Sequence, residues 1–165
     1  VKVIAIDPGG TTGWATFEVE ALRSTGEVHW RGKTVAKCFD DGGQLNQPNH
    51  HALLWELLVS QGADYVICER FEHRNNDFTE LISLEYIGVV KAYAQRFRVN
   101  LIMQGAHQAF NFNDRGMKLD RLGLTLTPYK KWKDANAARK HLVYYLCTQM
   151  DYPEIRQLAL VAVTA

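Results

Sequence analysis

The chain has 165 residues, of which 47% are hydrophobic, 22% charged and 11% aromatic, a composition that fits one compact domain over 1–165 and excludes disordered, collagenous and coiled-coil chains. Nineteen Lys and Arg against eighteen Asp and Glu give a formal net charge of +1, so overall charge selects neither nucleic acid nor membrane as a partner. Three cysteines (Cys38, Cys68 and Cys147), odd in number and without a CxxC pair, exclude a disulfide framework or zinc ribbon and suit a reducing, cytoplasmic setting.

Val1 to Ile6 is a β-branched apolar run closed by Asp-Pro-Gly-Gly, which predicts a buried strand stopped by a turn. Alternation over Trp14 to Glu20 and, more weakly, Glu27 to Val35 predicts two more strands, antiparallel through Gly-containing turns. Leu53, Leu54, Leu57 and Leu58 place a helix over Pro48 to Ser60, with Gly62 to end it, and Tyr65 to Cys68 reads as a second buried strand. From Asp77 to Phe97 a helical stripe runs through Phe78, Leu81, Ile82, Ile87, Val90, Tyr93, Ala94 and Phe97, with Asp77 as cap. Val99 to Met103 follows as a strand.

The stretch from Gln104 to Lys133 is polar, basic and broken by Gly105, Gly116, Gly123 and Pro128, with a short helix expected around Lys118 to Leu122. Asp134 to Met150 is a helix with Ala138, Leu142, Tyr145 and Leu146 on one face, and Pro153 opens a last short one. No run nears the ~18 apolar residues of a membrane span, so no membrane partner is expected. The order βββ-α-β-α-β-α predicts an α/β fold with a mixed five-stranded sheet flanked by helices. Right-handed crossover allows the strand at Tyr65 to lie beside the first and parallel to it.

Two acids then become interesting. Asp7 directly follows the first buried strand and Glu69 directly follows the second, so parallel pairing sets them at one sheet edge with backbones ~4.8 Å apart. Ligands of open α/β sheets gather outside the carboxyl ends of strands. Two carboxylates that close repel unless a cation intervenes, and Mg²⁺ with oxygen ligands removes the conflict. A pair of such ions can hold the attacking and leaving oxygens of a phosphodiester displacement. The alternative is that Asp7 only caps its turn and Glu69 pairs with Arg70 or Arg74. In Asp7-Pro8-Gly9-Gly10-Thr11-Thr12-Gly13 the glycines permit positive φ and leave backbone N–H groups free to approach an anion; an ordinary hairpin turn is the alternative.

The run Ile4 to Ala15 (IAIDPGGTTGWA), the strand-terminal acid of Val66-Ile67-Cys68-Glu69 and the late Asp134-Ala135-Asn136-Ala137-Ala138-Arg139-Lys140-His141 resemble, in order and spacing, the RuvC-like Holliday junction resolvases, particularly phage versions, of the ribonuclease H-like superfamily. The resemblance spans nearly the whole chain. It implies a ribonuclease H-like fold and a structure-selective endodeoxyribonuclease that needs Mg²⁺, with Mn²⁺ substituting, acts on branched DNA such as four-way junctions and works as a homodimer. It also implies that Asp7, Glu69 and Asp134 hold the metal. Such proteins usually place two ligating side chains three residues apart at the start of the last core helix. Here Asp134 has Ala137 three positions after it and Lys131 three positions before, so one partner is missing in either register.

His141 lies two helical turns beyond Asp134 on the same face, in place to contact a metal-bound water or the scissile phosphate, or else to pack half-buried near Tyr145. For Asp134 the plain alternative is a helix N-cap. Between Arg115 and His141 eight basic residues (Arg115, Lys118, Arg121, Lys130, Lys131, Lys133, Arg139 and Lys140) face two acids, whereas Asp64 to Glu85 holds six acids and two Arg. That asymmetry fits a phosphate-binding rim beside a metal cleft, with Arg115, Lys118, Lys130, Lys131, Lys133 and Lys140 as DNA contacts, or a solvated basic loop. Phe71, Phe110, Phe112, Tyr129 and Trp132 are either wedges for a junction or core residues. The resemblance and the two strand-end acids together point to a junction resolvase. Its rivals are a flap or fork nuclease of the same fold, and an inactive DNA-binding or ATP-binding relative.

Overall fold

The computed structural model describes residues 1–18, 35–38, 47–72, 80–114, 125, 128–130 and 132–149. Three antiparallel strands open it: β1 (Lys2–Asp7), β2 (Gly13–Glu18) and β3 (Val35–Cys38). Of the third strand expected over Glu27 to Val35, only Val35 is described, and it begins β3. Helix α1 (Gln47–Gln61) leads to β4 (Tyr65–Glu69), α2 (Glu80–Phe97), β5 (Asn100–Gln104), α3 (Ala106–Asp114) and α4 (Lys133–Thr148). The sheet order is β3-β2-β1-β4-β5, with β4 parallel to both β1 and β5, so the adjacency of β1 and β4 expected from crossover handedness is present.

The period-two alternation of the strands divides the core between two faces. Val3, Ala5 and Ile67 pack under Ala138, Leu142, Tyr145 and Leu146 of α4, the stripe expected there, joined by Val143. Ile4, Ile6, Val66 and Cys68 point the other way, toward Leu54 and Leu58 of α1 and Tyr86, Ile87, Val90 and Tyr93 of α2. Full burial of such aliphatic side chains is worth roughly 1.5–3 kcal/mol each. α1 ends at Gly62, whose φ of +53° suits glycine and whose N–H donates to the Leu58 carbonyl at 3.2 Å. Phe97, expected in the inner stripe of α2, is instead 49% exposed and packs its ring 4.9 Å from Tyr93.

Helix α3 fills part of the stretch read as a polar, interrupted segment. It packs on α4, with the Phe112 ring 5.4 Å from that of Tyr144. The helices expected around Lys118 and after Pro153, and the cap at Asp77, lie outside the described residues. No helix among the described residues is long and apolar enough to cross a membrane. Cys68 and Cys147 are buried free thiols.

Candidate active site

Register builds the site. β1 and β4 pair Ile6 with Cys68, which sets Asp7 and Glu69 side by side at the next step, and β4 and β5 pair Glu69 with Gln104. The antiparallel partner of Asp7 is Gly13. Gly13, Asp7, Glu69 and Gln104 therefore form one row across four strands, on the sheet face covered by α4. Glu69 stands close enough to Asp7 to raise its carboxyl through its charge and through side-chain interaction.

The third acid arrives with α4. A Cβ on Gly13 would overlap the Asp134 carbonyl and stand 2.6 Å from the Ala135 nitrogen, so only glycine lets the first turn of α4 rest directly on β2. This contact, rather than a turn conformation, explains Gly13: among the described residues the positive-φ glycine is Gly62, and Gly9, Gly10 and Gly13 do not adopt the positive φ expected of them. The Gly9 N–H also donates to Thr12 Oγ1, at 3.4 Å, instead of being left free for an anion. Nor is Asp134 the N-cap. Trp132 holds that position without a side-chain cap, and Asp134 lies within the first turn.

Asp7, Glu69, Asp134 and Ala137 line one cavity of about 490 Å³, together with Lys133, Tyr129 and the α3 residues Ala106, His107, Phe110 and Asn111. Asp7 is half-buried there, and its carboxyl is raised well above the usual carboxylate range. Burial is the largest cause, followed by the charges of Glu69 and Asp134 and the side-chain interaction with Glu69; Lys133 opposes them. Among the described residues no three or more His, Cys, Asp and Glu side chains stand in a metal-ligating arrangement. The donor chemistry nevertheless suits a hard divalent cation: two carboxyls side by side at adjacent strand ends, a third in the same cavity, and an excess of negative charge that a cation would relieve.

His141 reaches this cluster through Glu69. Its side chain is fully buried, Nε2 stands 2.8 Å from Glu69 Oε2, and Nδ1 stands 2.8 Å from Gln104 Oε1. The ring is thus enclosed, with both nitrogens engaged by protein, rather than presented to a phosphate. Gln104, only 1% exposed, was not singled out from the sequence; its signal was its place one strand beyond Glu69 in the same row.

Lys133 and Lys130 are exposed and Lys140 is half-buried with its Nζ 4.4 Å over the Phe110 ring, whereas Arg115, Lys118 and Lys131 lie outside the described residues. Arg139, counted in the basic excess, is 5% exposed and does not belong to a solvent-facing rim. Of the aromatics, Phe110 and Tyr129 line the cavity; Phe71 and Phe112 pack against the two cores, and Trp132 caps α4.

No family model matches the chain, and no curated protein matches it. Solved structures do. Thermus thermophilus RuvC in complex with a Holliday junction substrate superposes with a TM-score of 0.61 at 20% identity, over 90% of this chain and 97% of that one. A second Thermus thermophilus RuvC structure gives 0.59 at 19% identity, over 88% and 95%. The fowlpox virus Holliday junction resolvase gives 0.58 at 12% identity, over 88% and 98%. The fold of this chain, a mixed sheet flanked by helices, is the one these resolvases have.

Proposed function

We propose that this protein is a divalent-metal-dependent, structure-selective endodeoxyribonuclease that cuts branched DNA and resolves Holliday junctions. The observation that carries the reading is the meeting of Asp7, Glu69 and Asp134, from β1, β4 and α4, in one cavity at the carboxyl end of the central strands. The resolvase fold and the junction bound to one of its structural relatives support the choice of substrate.

Asp7, Glu69 and Asp134 would hold Mg²⁺ or Mn²⁺, which when bound polarises a phosphodiester and lowers the pKa of water for in-line attack. The remaining work falls to the chain itself. Lys133, exposed at the cavity, supplies positive charge toward the phosphate that develops charge on cleavage, and Lys130 and Lys140 extend that charge along the rim. Arg115, Lys118 and Lys131 belong to the same proposed DNA-contacting set. Phe110 and Tyr129 offer ring surface for unstacked bases beside the acids. Two copies related by a two-fold axis would match the symmetry of a four-way junction, and the exposed Leu84 on α2 provides apolar surface for that contact.

One observation favours a second reading. Ala137 lines the cavity three residues after Asp134, so a methyl group stands where a further acid would enter the site. An inactive, junction-binding relative would have this feature. Incubation with synthetic four-way junctions, flaps, forks and linear duplex in Mg²⁺ and in Mn²⁺ separates the readings: paired symmetric nicks in the junction support resolution, a preference for flaps or forks reassigns the substrate, and binding without cutting supports the inactive relative.

A further inference from the structure

We infer that His141 and Gln104 are positioning residues that fix the rotation of the Glu69 carboxylate and so set the cation affinity of the cavity. The inference rests on the reading of Glu69 as a metal ligand and concerns two groups that touch neither cavity cation nor DNA.

The geometry is a relay of three side chains from three elements. Glu69 ends β4, Gln104 ends β5 in direct register with it, and His141 descends from α4 between them. With Glu69 ionised, His141 Nε2–H donates to Glu69 Oε2 at 2.8 Å. The 2.8 Å contact on the other side is satisfied in either of two ways. Nδ1–H donates to Gln104 Oε1 in an imidazolium ring, or a turned amide donates its N–H to a bare Nδ1 in a neutral ring. Both leave a proton on Nε2 facing Glu69, so the orientation of the carboxylate does not depend on the charge of the ring.

The imidazole end of the bond is shielded, while the Glu69 side chain is 24% exposed. His141 is 0% and Gln104 1% exposed, and Phe110, itself on the cavity wall, stands edge-on to the imidazole with ring centroids 6.2 Å apart. A hydrogen bond buried at its donor end meets little competition from water and holds a carboxylate in one rotation more firmly than a fully exposed one does. The Gln104 Nε2 has no hydrogen-bond partner among the described residues, a cost expected of an amide kept in a buried place for what its other end does. Outer hydrogen bonds to ligating carboxylates and imidazoles commonly change metal affinity by about 10–100-fold.

The test uses the full chain and Mn²⁺ alone as probe, read by electron paramagnetic resonance titration, with melting temperature in the absence of metal measured in parallel. His141→Leu should weaken Mn²⁺ binding by about 10–100-fold. His141→Gln, whose amide nitrogen reaches the position of Nε2, should recover affinity to within a few fold of wild type, and Gln104→Leu should fall between. If His141→Leu does not fold, the contrast between Gln104→Leu and His141→Gln carries the test. Folded variants that bind Mn²⁺ as wild type does, or a His141→Gln protein no better than the most damaged variant, overturn the inference. Wild type that binds no Mn²⁺ overturns it together with the proposed function. Variants that lose Mn²⁺ as expected, in a protein that never cuts DNA, leave the positioning role standing and remove only the nuclease.

Discussion

Asp7 and Glu69 end adjacent parallel strands at the same level, and the charge of Glu69 raises the Asp7 carboxyl. Two acids in that relationship are costly to ionise together, and Asp134 adds a third to the same cavity. A site built this way stores repulsion that a cation can relieve, which makes metal binding and folding stability two readings of one arrangement.

Asp7 ties folding stability to pH. Its carboxyl lies well above the usual range in the folded protein, so the folded state holds that proton more tightly than the unfolded chain does. The group therefore favours folding below the ordinary carboxylate pKa of about 3.9, and the benefit is lost as pH rises through the elevated folded value. At pH 7.5 without divalent ions, Asp7→Asn should melt higher than wild type, each kcal/mol of relief being worth about 2–4 °C in a domain of this size. The gap should close toward pH 3.5. The same variant should lose junction cleavage while keeping junction affinity; unchanged cleavage removes Asp7 from the site.

Ala137→Asp should act in the opposite sense. A further carboxylate facing the cavity should lower the melting temperature of the metal-free protein, by a few degrees on the same scale, and raise Mn²⁺ affinity. Where wild type binds junctions without cutting them, this variant should cut. A folded Ala137→Asp protein with unaltered Mn²⁺ affinity places residue 137 outside the metal's reach.

Gly13→Ala tests how α4 is seated. The added methyl would collide with the Asp134 carbonyl, so the first turn of α4 must shift, at about 1–3 kcal/mol for overpacking of this kind. Thermal melting should show the loss, and Mn²⁺ affinity should fall with it because Asp134 moves with the turn. A wild-type melting temperature would contradict the close approach.

Lys130→Ala and Lys133→Ala should each weaken junction binding about equally across sequences and lower the slope of log affinity against log salt by about 1. Lys133→Ala should also push the Asp7 carboxyl further up, because Lys133 is the group that holds it down. A salt slope equal to wild type in both variants would take this rim out of the DNA interface.

The row of acids was legible because both strands are short apolar runs that stop at a carboxylate, and strand handedness leaves few ways to arrange them. What sequence reading missed depends on contacts between distant segments. The reason for Gly13 is the backbone of α4, more than a hundred residues away. Gln104 becomes significant only through register with Glu69, and the enclosure of His141 follows from both. Helix α3 escaped notice because Ala106 to Asp114 is rich in Asn, His and Gln and is held by packing rather than by propensity. Arg139 misled in the other direction: its charge suggests a rim, but its place on the inner face of α4 buries it.

The most direct measurement is anomalous scattering from crystals soaked in Mn²⁺. Peaks between the carboxylates of Asp7, Glu69 and Asp134, absent from an Asp7→Asn crystal, are the expected result. Manganese bound only elsewhere, or a cavity that stays empty at millimolar Mn²⁺ while the protein still cuts junctions, would contradict the account.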